Sequence, residues 1–489
     1  MTGLAKAGAS ALKWGVLATI GRFGLQLIAQ ILLARMLGPE TYGVFGIGML
    51  VLTLSTFLTN FGFGWNLLHK QDLKDDDVRF AFTWQLIAGG VATIALQLSA
   101  AWLANYFHDP RVEHVIRWLS LTCLLASAAS PATSLTQRAL KFKQLGVVQI
   151  GSYFAGYVAV GLTLAYLGYG VDALIAAWLT QAAVNLIGVY AIQRHPLKPL
   201  LHYDGARQAF RRGVTVFFNN VVNWWLTNID RVVLGRMLNP TAVGHYTIAY
   251  NLATLPSTML MSSLQPAFTA AGAQMAQQRE RLAEAYTQMI GTVAVLVLPF
   301  FVALALCAPD LIAVMYGAKW IDSGPVLAVL FLGMPLLIVW GVTTPVLTNT
   351  GRQHHESLLQ LPVLAFAIGA FYLFTTSPVA AAWIALVVLG LRTFAVAASA
   401  VQALGANIRP LLQDLLRGAA LSGVVAALML GILSAVSQYG WPLVSLLCCG
   451  SAGAAMLGGL VFFTPRLLGP RATTMVARFV PRLKPRTGY

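Results

Sequence analysis

Apolar runs of about 20 residues recur from one end of this chain to the other, and they leave it few possible folds. A helix of that length rises about 30 Å, the thickness of a bilayer's hydrocarbon core. No water is present there to satisfy backbone N–H and C=O groups, so only helices and closed barrels can cross. No segment shows the sustained apolar/polar alternation of a barrel strand, which leaves helices. Fourteen runs can be laid out, at about 12–36, 41–64, 81–106, 115–137, 146–167, 171–193, 213–237, 241–266, 285–308, 325–348, 357–376, 380–403, 415–437 and 441–463. Of the 489 residues, 58% are hydrophobic and 10% are charged, where a soluble domain carries roughly a quarter as charges. The chain reads as an all-α integral membrane protein with about 14 transmembrane helices.

Charge then sets the orientation. The 32 Lys and Arg outnumber the 16 Asp and Glu, an excess that would suit nucleic acid if it were not distributed along the membrane. With both termini cytoplasmic, 24 basic residues flank the inner side and five (Arg35, Arg111, Arg117, Arg236 and Lys319) the outer side. That asymmetry is the positive-inside rule. The first span lacks a small-residue cleavage site and is expected to be retained rather than removed as a signal peptide. Asp75–Asp77 favour the start of the third helix. The tail after residue 464 carries six basic residues and no acid, which suits the anionic inner leaflet. Cys123, Cys307, Cys448 and Cys449 sit in apolar runs with no metal or disulfide spacing, and His354–His355 has no accompanying acid or Cys, so no metal site is expected.

An internal repeat organises the spans. RMLGPETYGVF (35–45) returns as RMLNPTAVGHY (236–246), an offset of 201, and the ungapped match of 19–54 to 220–255 has eleven identities. Six spans separate the copies, and an even number preserves orientation. The halves are therefore two parallel six-helix lobes related by a pseudo-two-fold along the membrane normal, plus two C-terminal helices. The expected divisions are an N-lobe at 1–193, a cytoplasmic linker at 194–212, a C-lobe at 213–403, spans 13 and 14 at 404–463 and a basic cytoplasmic tail at 464–489.

The repeat also aligns polar residues. Thr19, Arg22, Gln26 and Gln30 lie on one helix face of span 1, and Asn220, Asn223, Thr227 and Arg231 stand at the equivalent positions of span 7. Polar groups facing lipid are costly, so both stripes are expected to face a cavity; the competing role for the neutral members is interhelical hydrogen bonding. Arg392, near the middle of span 12, is either a third cavity cation or a structural arginine bound to helix carbonyls. Asp230 is the single embedded acid, hence the candidate for coupling to a proton or sodium gradient, with static charge compensation as the alternative. Its counterpart in span 1 is Ala29. Adjacent residues project about 100° apart, so Asp230 and Arg231 are not expected to neutralise each other.

The Arg-Met-Leu-Gly-Pro-x-x-Tyr-Gly turn at 35–43, QRALKFKQLG (137–146), GYGVDAL (168–174), LQPAFTA (264–270), MYGAKWIDSGPVL (315–327) and LTNTGRQ (347–353) occur in an order and spacing that resemble a known family. The chain is similar to Wzx-type lipid-linked oligosaccharide flippases, nearest the colanic-acid and exopolysaccharide branch, within the multidrug/oligosaccharidyl-lipid/polysaccharide exporter superfamily. The resemblance implies a multi-pass protein of the bacterial inner membrane that moves undecaprenyl-pyrophosphate-linked repeat units to the periplasmic leaflet by alternating access. It implies the lipid bilayer, and polymerase and chain-length machinery, as partners, with no nucleic acid, no cofactor beyond an ion gradient and no catalytic residue. Family members bind the anionic head group with arginines on facing helices, which suits Arg22 and Arg231. Asp172 departs from the family pattern and reads as a surface substitution. An efflux pump for cationic compounds would favour acids over arginines, and a membrane glycosyltransferase would need a larger outer loop than any present.

Overall fold

The computed structural model of this chain describes residues 2–59, 67, 73–201, 206–275, 278–436, 441–462 and 473. No strand occurs among them. The side chains of Thr19, His354 and His355 and the basic residues of the tail lie outside the described part. In its described residues, each of the fourteen apolar runs falls on a helix. By length and composition, nine described helices could cross a membrane, and Leu358–Phe374 and Pro442–Gly453 are shorter apolar helices. The described parts of the helices at the seventh and eighth expected spans fall outside that group; the seventh carries the polar stripe of the second repeat, and the eighth has polar residues of its own, among them His245, Asn251 and Ser257. Contacts gather the chain into two compact units, Met1–Gly244 and His245–Tyr489.

The first unit opens with α1 (Thr2–Thr59), two spans joined through a kink at Gly38. Gly38 has φ 79°, a left-handed conformation that glycine adopts without a Cβ clash, and Pro39 restarts the helix at its first position. The second repeat makes the same turn without glycine. There α6 (Ala206–Met237) ends and α7 (Pro240–Gln274) begins, and the Asn239 side chain accepts the Ala242 N–H at 2.8 Å as a helix cap. The two turns meet. A Cβ on Gly43 would run into the carbonyl of Pro240, and one on Gly244 into the carbonyl of Pro39, two reciprocal contacts related by the repeat. Only a missing side chain at both positions lets these backbones approach.

Between α1 and α6 come α2 (Asp75–Tyr106), α3 (Arg111–Arg138), α4 (Phe142–Tyr166) and α5 (Val171–Ile192). Asp75, Asp76 and Asp77 fill the first turn of α2 as expected, and the Asp77 carboxylate accepts the Lys74 N–H at 2.9 Å. The start of the expected linker is strapped onto this helix. Arg79 donates to the Lys198 carbonyl at 3.1 Å, Trp84 to that of Leu201 at 3.2 Å, and Thr83 accepts the Leu200 N–H at 2.9 Å. At the other end of α2 the turn to α3 joins both repeat turns. Arg111 pairs with Asp109 at 2.7 Å and with Glu40 at 2.8 Å, while Arg236 reaches His108 and lies over the Tyr106 ring at 5.2 Å. Burial works to raise the Asp109 carboxyl, and the Arg111 side chain and backbone outweigh it, holding the group below its usual range. Asp172 pairs with His114 at 2.7 Å, both half-exposed, which is a surface contact.

The second unit contains α8 (Arg279–Leu306), α9 (Ala308–Tyr316), α10 (Ser323–Asn349), α11 (Gln353–Phe374), α12 (Pro378–Leu404), α13 (Ile408–Val436) and α14 (Pro442–Phe462). Helix α12 has both ends specified locally. Ser377 accepts the Ala380 N–H at 3.1 Å, Pro378 starts the helix, and Gly405 closes it at φ 64°. Its face packs on α10, and Leu282, Tyr286, Val346 and Val396 form a buried cluster with their neighbours. The two C-terminal helices are part of this unit, since α13 lies along α8 and α14 packs on α13 and α9.

Replacing Gly43 by Leu should lower the melting temperature of the purified protein by several degrees, because overpacking a tight backbone contact costs about 1–3 kcal/mol. Gly24→Leu, where no atom lies within 4 Å of a built Cβ, should leave it unchanged in the same fluorescence melt.

Candidate functional site

The three embedded arginines are met in three different ways. Arg22, on the first limb of α1, is half-buried and donates to Gln149 Oε1 of α4 at 3.4 Å, with its guanidinium 5.7 Å from the centroid of Phe23. Its Nε is buried with no hydrogen-bond partner. Both partners are neutral, so among the described residues Arg22 has no carboxylate. Gln26 and Gln30 follow it on the same face, half-buried. Tyr153 reaches the Gln26 carbonyl at 3.5 Å, and Tyr42, from the second limb of α1, donates to that of Gln30 at 3.3 Å across the kink.

Arg231 belongs to the same unit and is satisfied locally. Its guanidinium donates to the Thr227 carbonyl at 3.1 Å and lies 3.7 Å from Asp230 Oδ1, which also accepts the Arg231 N–H at 2.7 Å. The expectation that the two neighbours could not compensate each other is corrected. A long arginine side chain can fold back along its helix, so the 100° between adjacent residues does not keep the charges apart. Asp230 is 5% exposed and Ala29, its counterpart, 1%, so the repeat buries this register position in both copies and the second copy fills it with an acid. Asn220 and Asn223 are half-buried, and Thr227 donates back to the Asn223 carbonyl at 2.8 Å.

Arg392 lies in the second unit, 2% exposed. Its guanidinium stacks over Trp340 of α10, 3.9 Å from the ring centroid, and donates to Gln360 Oε1 at 3.1 Å. Gln360 in turn donates to Glu356 Oε1 at 3.2 Å, which also accepts from Thr344 at 2.9 Å. A bridging amide thus connects a buried cation to a buried acid. Sequence reasoning missed Glu356 because the apolar run of its span starts one residue later, at 357. The helix begins at Gln353 and takes Glu356 inside, so Asp230 is not the only acid buried on these helices. Asp414, 3% exposed and paired with Arg417 at 3.2 Å, is another. The signal was available as the i, i+4 spacing of Glu356 and Gln360.

No group of three or more His, Cys, Asp or Glu among the described residues is placed to hold a metal ion. A second polar face, overlooked in the sequence, lies on α5, where Trp178, Gln181 and Asn185 line a cavity of the first unit.

Residues 32–325 match a family described as polysaccharide biosynthesis protein. The chain belongs to that family. Lipopolysaccharide biosynthesis protein WzxC of Escherichia coli K12 is 23% identical over 66% of this chain and 65% of its own length. Succinoglycan biosynthesis transport protein ExoT of Rhizobium meliloti 1021 is 26% identical over 69% and 68%. The chain thus spans about two thirds of the length of these curated relatives. The solved structure of lipid II flippase MurJ, in an inward closed conformation, superposes with a TM-score of 0.72 over 92% of this chain and 98% of that one, at 14% identity. The shared fold is that of an all-helical, multi-pass membrane protein.

Arg392→Leu should destabilise the purified protein by on the order of 3 kcal/mol, since it strands a buried acid. Adding Glu356→Gln to it should recover most of the loss in a thermal double-mutant cycle; strictly additive losses would show that the two side chains are independent.

Proposed function

We propose that this protein moves undecaprenyl-pyrophosphate-linked oligosaccharide repeat units from the cytoplasmic to the periplasmic leaflet, for exopolysaccharide or lipopolysaccharide synthesis, by alternating access. It acts as a transporter and not as an enzyme, in the bacterial inner membrane with both termini cytoplasmic. Family membership and the relatives' names support the class of cargo. The observation that carries the reading is Arg22, a guanidinium on a membrane-spanning helix whose partners are all neutral. A cation in that setting attracts an anion, and a pyrophosphate leaving water offers oxygens that a guanidinium binds in pairs. With Asp230 beside Arg231 and Glu356 tied to Arg392, the excess positive charge of the three embedded arginines is concentrated on Arg22. Arg231 sits in the same polar stripe register and contributes as a secondary contact. Coupling to a proton or sodium gradient falls to the buried acids, Asp230 first because it lies beside a stripe arginine. The repeat-defined lobes at 1–193 and 213–403 are the elements that would move, and the polymerase and chain-length machinery would receive the product.

Deleting the gene in a strain without a second flippase should leave lipid-linked repeat units on the cytoplasmic leaflet and abolish the surface polymer; normal polymer would sink the proposal. Arg22→Gln should cut export at least about tenfold with the protein still in the membrane, the loss expected for one charge-assisted contact. Arg22→Lys should keep part of it. Asp230→Asn should change the pH or sodium response of transport, and an unchanged response would assign Asp230 to charge compensation alone.

A further inference from the structure

Helix α5 carries Trp178, Gln181 and Asn185 at i, i+3 and i+7, one face of the helix. That face lines a cavity of about 200 Å³ whose other walls include Thr56 of α1 and Thr122 of α3. Among the described residues, the amides of Gln181 and Asn185 and the indole N–H of Trp178 have no hydrogen-bond partner. On a soluble surface water would meet them. Gln181, however, stands ten residues into a 22-residue span, near the middle of the bilayer, where an unmet amide is costly. Three such groups at one void are placed for a polar ligand, or for the water that it displaces.

The chemistry of the wall narrows the ligand. No charged side chain among the described residues lines the cavity, and nearly all of its wall is apolar. Thr56 spends its proton on the Thr53 carbonyl at 2.7 Å. Tyr157, on the π-helical turn of α4 (Phe154–Gly161), holds the Trp178 ring edge-to-face at 6.5 Å, and Tyr153 stacks on Tyr157 at 4.5 Å. A sugar ring is apolar on its C–H faces and bears hydroxyls around its rim, which matches an aromatic wall with amides beside it. A uronic acid would bring a carboxylate with no cation to meet it. The volume falls below the ~300–1,000 Å³ that encloses a drug-sized ligand, so it accommodates one ring rather than a repeat unit.

We propose that this cavity is a subsite for one neutral hexose ring of the transported oligosaccharide, with Trp178 as its aromatic wall and Gln181 and Asn185 reading its hydroxyls. The proposal rests on the flippase reading and adds the sugar class that the site selects. It is tested on the full-length protein in nanodiscs, by titrating undecaprenyl pyrophosphate either bare or carrying one glucose, galactose or glucuronic acid. A neutral hexose should bind at least about tenfold tighter than both the bare and the glucuronic acid lipids. Gln181→Leu/Asn185→Leu should erase that preference and leave bare-lipid affinity unchanged. Trp178→Phe should retain most of the preference and Trp178→Leu should lose it. Equal binding of all four lipids by the wild type would overturn the subsite, as would a preference that survives the double substitution. An equal loss for bare lipid in that variant would make the face structural and overturn it too. If the wild type binds none of the four, the flippase reading falls with the subsite; binding of bare lipid without sugar preference removes the subsite alone.

Discussion

A guanidinium inside a bilayer must be met by something, because water is absent and the group stays charged at every physiological pH. Much of what is distinctive in this protein follows from how that demand is answered. Arg392 has the fullest answer of the three: an indole lies under it and an amide bridge leads to Glu356. Arg231 is answered by its own helix and by the neighbouring Asp230. Among the described residues, Arg22 is answered by an amide and a ring alone. The three form a gradient from a satisfied to an under-satisfied cation, and it runs opposite to what burial alone would suggest. The least exposed arginine is the best compensated one.

The repeat has a second consequence beyond doubling the spans. Its most similar segment is the pair of turns at 35–45 and 236–246, and those turns touch each other through backbone, glycine against proline carbonyl in both directions. A symmetric contact of this kind needs the same small residue at the same place in both copies, which accounts for Gly43 and Gly244 being identical. The turns reach it by different local means, a left-handed glycine in one copy and an asparagine cap in the other. What the duplication preserved is the meeting geometry, and the device that bends the chain was free to change.

Most of the fold was legible in the residues. Helices were forced by backbone satisfaction in lipid, their number by counting apolar runs, and their ends by capping residues such as Ser377 and Gly405. The polar stripes were legible as well, because a period of 3.6 residues is visible without coordinates. The limits of the reading came where partners are distant in sequence or where a helix outruns its apolar stretch. Glu356 was assigned to an inner loop since hydropathy, not helicity, drew that boundary. The folding back of Arg231 onto Asp230 was missed since residue spacing describes where side chains start and not where long ones end. The α5 face went unnoticed because Trp, Gln and Asn in a span are common in helix packing, and nothing in the sequence says that their neighbours are absent.

By itself, the sequence determined that the chain crosses a membrane many times as helices, that it is a duplication, that it carries three embedded arginines, and that its motifs are those of a polysaccharide biosynthesis family. Each of these depends on composition, period or identity along the chain. Tertiary structure decided which arginine has neutral partners alone among the described residues, which acids are buried beside a cation, and where a void is left against polar groups. Those depend on pairings such as Arg22 with Gln149 or Arg392 with Gln360, 127 and 32 residues apart, and only the folded chain brings such partners within reach.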